Sequence, residues 1–366
     1  MQDTYYRINN YTYYVPLKRA LIVTSQLLDE KKIETILEPL PIDKPYIDTE
    51  RPEGRVYNEQ YSVIPKSIQI YPTSGCNLRC RYCFSDSGNV ECRDLALDKI
   101  KKFISESFKT VYTAKIVSGR KDHVNIEFCG GGEPTFNWKL FENAVQYIEE
   151  MSLKYDIPRQ IKLTSNCCNG NSEQLRFIGE HIDHLHISFD GDKEIQDYQR
   201  PVANGNGSFD MVYNAVKYLV PLIKGRGGKC SIRATVTGYS VDKMEHLTEF
   251  FCQEFPSVDF IQFEPLNWVR KTDRIGDLEA PDVYAYADYY IKACFVGSRY
   301  GINVVSSYGE ISNVRPREGF CDSVFGYSLI LNQDGDIVNC AEASRDNQRT
   351  YDKFLVGRLE DDLHFK

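Results

Sequence analysis

Between residues 67 and 264 six short apolar segments recur, at 67–71, 124–128, 160–164, 184–189, 230–237 and 259–264, with longer stretches of helical periodicity between them. Phe141, Ala144, Val145 and Ile148 fall on one helical face, as do Val212, Ala215, Val216 and Leu219, and then Met244, Leu247, Phe250 and Phe251. Strand and helix in strict alternation predict an α/β fold, with a parallel sheet curled into a barrel or part of one. In such sheets the functional site forms beyond the carboxyl ends of the strands. The unusual residues of this chain stand at those positions.

Directly after the first segment runs Cys76-Asn-Leu-Arg-Cys80-Arg-Tyr-Cys83, a C-x3-C-x2-C pattern that takes three of the chain's 12 cysteines. The N-terminus has no apolar run of the signal-peptide kind, and no stretch of the sequence is apolar enough to span a membrane, so a reducing cytoplasm is expected. There, clustered cysteines point to metal binding or catalysis rather than to a disulfide framework. Three thiolates from one loop can hold three corners of an iron–sulfur cube and leave the fourth iron open to a ligand. The alternative is a structural zinc site completed by a distant Cys or His, although zinc favours C-x2-C pairs. After the second segment comes Cys129-Gly130-Gly131-Gly132-Glu133-Pro134. Three consecutive glycines let backbone approach a ligand closely. Net charge is 44 − 52 = −8, a poor footprint for a nucleic-acid binder.

With these two motifs on adjacent strands, residues 67–340 resemble the radical S-adenosylmethionine superfamily, with Tyr82 as the aromatic of the three-cysteine loop and Gly131–Pro134 as a GGEP-type run. The resemblance implies a partial TIM barrel, (β/α)6. It also implies a [4Fe–4S] cluster on Cys76, Cys80 and Cys83 whose open iron chelates S-adenosylmethionine (SAM). Reductive cleavage of SAM would give a 5′-deoxyadenosyl radical that abstracts hydrogen from substrate, with an external flavodoxin- or ferredoxin-type electron donor. Carried over residue by residue, cofactor contacts fall on Tyr82, Gly131, Gly132, Glu133, Asn166, Ser188, Arg200 and Arg233. Gly132 lies where the family's backbone meets the methionine amino group, and Arg200 where a guanidinium can fork onto a carboxylate. For Asp190 a capping role is an equal alternative, and for Arg233 a structural ion pair. No catalytic side chain is assigned.

Two further stretches bear on organisation. Residues 1–66 predict a tyrosine-rich hairpin over 5–15 turning at Asn9-Asn10, a helix over 21–37, and a proline-dotted linker over 39–65. A helix is expected at 283–300, then a hairpin with strands at 327–331 and 336–339 around Asn332-Gln-Asp-Gly335. Cys321 before it and Cys340 after it resemble the opening of a SPASM extension, which implies an auxiliary iron–sulfur site. The family's later C-x2-C-x5-C and final Cys do not follow before Lys366, so the extension is expected to be incomplete. Expected domains are therefore 1–66, 67–300 and 301–366. SPASM-type members modify peptides or proteins, and the implied function is an oxidoreductase that matures a ribosomally made peptide, by thioether or other crosslink. Sulfatase maturation to formylglycine is the alternative. Those enzymes carry an Asp base where Tyr308 stands here, and a second Cys close to the position of Cys321. A non-catalytic metal-binding scaffold is the third reading. The histidines, Cys167-Cys168 and Cys129 are read as packed or surface residues, and Trp268 and Phe263 as channel-lining or barrel-closing.

Overall fold

The computed structural model describes residues 6–9, 12–15, 20–23, 29–37, 65–88, 91–266, 278–307, 328–341, 343, 348–359 and 363–365. Cys321, Tyr308, Trp268, the Asn10 turn position and nearly all of the 39–65 linker lie outside them.

All six expected strands form: β4 (Ser67–Ile70), β5 (Val124–Phe128), β6 (Arg159–Ser165), β7 (His184–Ser188), β8 (Lys229–Val236) and β9 (Phe260–Pro265). Neighbours pair in parallel, β4 to β5 and so on to β9. β10 (Asn303–Val305) adds a seventh parallel strand beside β9. At the other edge β11 (Ser328–Leu331) pairs in parallel with β4 and turns back antiparallel into β12 (Asp336–Val338) through Gly335 at φ +78°. β13 (Leu355–Leu359) and β14 (Leu363–Phe365) complete an eleven-stranded sheet. The hairpin expected at 327–339 is thus welded to the barrel sheet, which runs unbroken across the expected 300/301 boundary.

Helices cover the outer face of the curved sheet. α2 (Leu97–Ser118) buries Ile100, Phe103, Ile104, Phe108 and Val111, and α3 (Trp138–Tyr155) buries the expected face of Phe141, Ala144, Val145 and Ile148. α4 (Ser172–His181) starts at a capping box, the Asn171 side chain accepting from the Gln174 N–H and the Gln174 side chain from the Asn171 N–H. α5 (Lys193–Gln199), α6 (Phe209–Gly225), α7 (Met244–Glu254) and α8 (Val283–Tyr300) follow in turn. One apolar core joins sheet and helices, with Phe128, Phe141, Phe189, Phe251 and Phe263 fully buried. Phe263 therefore packs in the core rather than lining a channel. No helix among the described residues is long and apolar enough to cross a membrane.

The N-terminal expectation needs one correction. β1 (Tyr6–Asn9) and β2 (Thr12–Val15) form the expected antiparallel pair, but Ala20–Val23 is a third strand, β3, paired to β2. The helix begins only at Glu30, as α1 (Glu30–Leu37). A four-residue apolar run does not itself distinguish strand from helix, and here pairing with β2 decides.

Candidate active site

The loop after β4 wraps back on the barrel mouth and is pinned there. Arg79 N–H donates to Pro201 O (2.7 Å) and Arg81 N–H to Gln199 O (3.0 Å), which ties the three-cysteine segment to the end of α5. Asn77 Nδ2 donates to Cys168 O (3.2 Å), and Asn166 Nδ2 to Asn77 Oδ1 (3.0 Å), which ties it to the end of β6. Cys76, Cys80 and Cys83 consequently line one wall of a cavity of about 630 Å³. That volume lies within the range of small-molecule sites, about 300–1,000 Å³.

The donor set suits cluster ligands. N–H groups face two of the sulfurs, Leu78 N at 3.4 Å and Asn166 Nδ2 at 3.9 Å from Cys76 Sγ, and Arg200 Nη1 at 3.9 Å from Cys80 Sγ. Hydrogen bonds of this sense are those that cluster-bound thiolates accept. Burial, followed by the nearby Glu133 carboxylate, pushes the Cys76 thiol up to about 12, and burial raises Cys80 as well. Ionising them takes a cationic centre bound directly to sulfur. No three Cys, His, Asp or Glu side chains among the described residues converge on a point that one metal ion could occupy. A single zinc needs such convergence. Sulfurs spread along a loop instead match a cube, in which each cysteine binds a different iron.

Glycine is required next door for a measurable reason. A Cβ on Gly132 would stand 2.1 Å from Gly75 O, in the cysteine loop itself, and Gly130 and Gly131 hold φ of +57° and +68°. Glu133 N–H donates to Gly75 O (2.9 Å), so the glycine turn and the cysteine loop are braced together. The Glu133 carboxylate is buried and accepts from Thr135 N (3.2 Å), Thr135 Oγ1 (2.7 Å), Ser165 Oγ (2.8 Å) and Asn166 N (2.8 Å). Burial raises its pKa against those four donors. Its oxygens hold the turn against β6 rather than standing open to a ligand. The Gly131 carbonyl accepts from Ser87 Oγ.

Asp190 is not a helix cap; Asp192 caps α5, accepting from Ile195 N. Asp190 is buried and accepts from Tyr82 Oη, from Gln199 Nε2 (2.8 Å) and from Thr235 N (2.9 Å), while Arg200 Nε lies 3.0 Å away in an ion pair. The Arg200 guanidinium also sits over the Tyr82 ring, 5.3 Å from its centroid. Asp190 holds Arg200 through Nε alone, leaving the Nη side of the guanidinium toward the cavity and Cys80, and fixes both Arg200 and Tyr82 against the cysteine loop. Arg233, for which an ion pair was the alternative, makes none among the described residues and reaches into the cavity, as does Ser188. Asn166 is buried, its Oδ1 accepting from Cys168 N (2.8 Å), and serves as a brace at the cavity wall.

The cavity also holds Gln69, Glu127, Gln262 and Glu264, which the sequence reading passed over, and His186, which it read as packed or surface; they line it from the inner faces of β4, β5, β7 and β9. Burial lowers the His186 pKa to about 4, helped by Lys162. Alternating polar residues along a strand read as a solvent face, and here that face turns into the barrel. Cys129 is buried as expected, packed with Tyr71, Ile330, Val338, Tyr351 and Cys340, and Ala341 reaches the cavity rim. Cys340 thus stands beside the barrel mouth, and its companion Cys321 lies outside the described residues.

Residues 70–251 match the Radical SAM superfamily model, and the chain belongs to that superfamily. Its cofactors are accordingly S-adenosylmethionine and a [4Fe–4S] cluster, and the scaffold reading gives way to an enzyme. Over 81% of its length the chain is 23% identical to a cysteine-type anaerobic sulfatase-maturating enzyme of Clostridium perfringens, covering 78% of that protein. It is 29% identical to the mycofactocin maturase MftC of Mycolicibacterium smegmatis over 80% of this chain and 67% of that one. Among solved structures, native anSMEcpe with bound AdoMet superposes with a TM-score of 0.60 at 20% identity, covering 81% of this chain and 78% of that one. That likeness shows the shared α/β fold with its curved, mostly parallel sheet.

Proposed function

We propose that this chain is a radical SAM oxidoreductase that modifies a peptide or protein, and that its reaction is maturation of a ribosomally made peptide by a thioether or other crosslink. The observation that carries the reading is the three-cysteine loop on the cavity wall, with N–H donors at its sulfurs and the glycine turn braced against it. Cys76, Cys80 and Cys83 would ligate three irons, leaving the fourth for the amino and carboxylate groups of SAM. When bound, these groups supply a one-electron reductive cleavage that yields a hydrogen-abstracting carbon radical. The residues of the chain position and shield it. Gly132 lets backbone approach the methionine end, Asp190 locks Arg200 and Tyr82 beside the cysteine loop, and Ser188 offers a hydroxyl toward the ribose. A flavodoxin- or ferredoxin-type protein would deliver the electron. A cytoplasmic setting accords with the eleven described cysteines, none of which is in a disulfide.

Formylglycine formation on a sulfatase is the second reading, favoured by the likeness over 78% of the Clostridium perfringens enzyme. Against it stands Tyr308 at the position where such enzymes carry an Asp base. The test is anaerobic reconstitution with iron and sulfide, then incubation with SAM and dithionite. The expected product is 5′-deoxyadenosine, made by the native chain and absent in Cys80→Ala. Zinc in place of iron and no 5′-deoxyadenosine would refute the proposal. A peptide bearing a sulfatase Cys motif, converted to formylglycine, would decide for the second reading.

A further inference from the structure

The charged groups lining the cavity are unequally satisfied. Glu133 is held by four donors, as above. Glu264 accepts from Gln262 Nε2 (2.7 Å), Ser307 N (2.9 Å) and Ser307 Oγ. Glu127 has Thr164 Oγ1 at 3.3 Å and Gln69 Nε2 at 3.4 Å, and burial raises its pKa. Arg200 has Asp190. The Arg233 side chain, among the described residues, has neither a hydrogen bond nor an ion pair. Lys162 is not part of the lining; it stands level with Glu127 in the β5–β6 ladder and is the charge that acts most on that carboxylate. Of the two guanidiniums that line the cavity, Arg200 is engaged by Asp190 and that of Arg233 is left to meet a ligand.

Geometry keeps these groups from collapsing onto each other. β5 and β8 are separated by β6 and β7, so Glu127 and Arg233 stand three strand spacings apart, roughly 14 Å along the curved sheet. Arg233 bears on Glu127, Cys129 and His186. The charges that act most on Cys76 and Cys80 are instead Arg79 and Arg200 among the cations. Arg233 stands level with Ser188 in the β7–β8 ladder, and both line the cavity. His186 is held neutral near pH 7 and shares a 2.9 Å hydrogen bond with Ser231 Oγ, so it neither repels a cation-seeking ligand nor neutralises it.

We propose that Arg233 is a receptor for a carboxylate of the peptide substrate, either an Asp or Glu side chain or a free C-terminus. The inference rests on the peptide-modifying reading above and narrows its substrate to chains that carry an anionic group into the barrel. A carboxylate on a guanidinium is the strongest pairing open to that side chain. SAM also carries a carboxylate, and the test separates the two sources.

Reconstituted enzyme loaded with SAM is titrated with acetyl-Gly-Gly-Glu-Gly-Gly-amide, with its Gln counterpart, and with acetyl-pentaglycine as free acid or amide. The acid of one pair is expected to bind at least about tenfold more tightly than its neutral partner, the weight of one charge-assisted hydrogen bond. Arg233→Gln cancels that preference. Equal binding of acid and neutral peptides, or no binding of either, overturns the inference. So does a preference that survives in Arg233→Gln while SAM binding weakens, which would assign the guanidinium to the cofactor. Failure to form 5′-deoxyadenosine in the same preparation would instead defeat the enzyme reading, so the two failures are distinct.

Discussion

The mouth of the barrel and its interior treat polar groups in opposite ways. At the mouth nearly every group is answered by the protein. Glu133 has four donors, Asp190 gathers Tyr82, Gln199, Thr235 and Arg200, and a backbone bond from Glu133 N to Gly75 O joins the glycine turn to the cysteine loop. Inside, the contacts to Glu127 are long, and the Arg233 side chain makes no hydrogen bond or ion pair among the described residues. A saturated mouth is a rigid frame for a group that stays, since buried polar networks fix one geometry when every member is satisfied. An interior left open suits a ligand that enters and leaves, because its charges meet their partners only on binding.

Perturbing the two regions should give graded responses. Asp190→Ala leaves Arg200 buried without its counter-ion and is expected to cost about 3–5 kcal/mol, read by urea unfolding of the chain. A loss below about 1 kcal/mol would mean that the mouth is not the closed network described.

His186 sets a pH dependence. A histidine in the unfolded chain titrates near 6.5, and His186 does so at about 4. Between those values the unfolded chain binds a proton that the native one does not. Its contribution is therefore intact above about pH 6.5 and is lost as pH falls toward about 4, on the order of 3 kcal/mol in all. Unfolding at about pH 5 and about pH 7.5 should show the difference, and His186→Gln should flatten it.

Gly132→Ala forces a Cβ to 2.1 Å from Gly75 O and should destabilise by roughly 1–3 kcal/mol, visible as a lower Tm. Smallest of all, Arg233→Gln should change unfolding stability by no more than about 0.5 kcal/mol. A loss comparable to that of Asp190→Ala would erase the contrast between mouth and interior.

The sequence exposed the mouth far better than the interior. Cys76, Cys80, Cys83 and the glycine run are local patterns, and the six parallel strands are apolar runs whose burial follows from helices on the outer face. Glu127, Lys162 and His186 carry no such signal. They alternate with apolar neighbours as exposed residues would, and only barrel curvature turns them inward. The parallel pairing of β11 with β4 joins residues more than 250 positions apart and has no local signature. The pattern places Leu21–Val23 within a helix, whereas pairing with β2, rather than composition, makes Ala20–Val23 a strand. For Asp190 the local pattern allowed a cap, while Tyr82 and Arg200, which arrive from either side of it in sequence, give it a different task.

The central claim is that Cys76, Cys80 and Cys83 hold one cluster with an iron open to SAM. Electron paramagnetic resonance of the reduced, reconstituted chain tests it most directly. The account predicts a [4Fe–4S]⁺ signal that changes when SAM is added and is missing in Cys80→Ala. A signal indifferent to SAM, or a chain that takes up zinc and gives none, would contradict it.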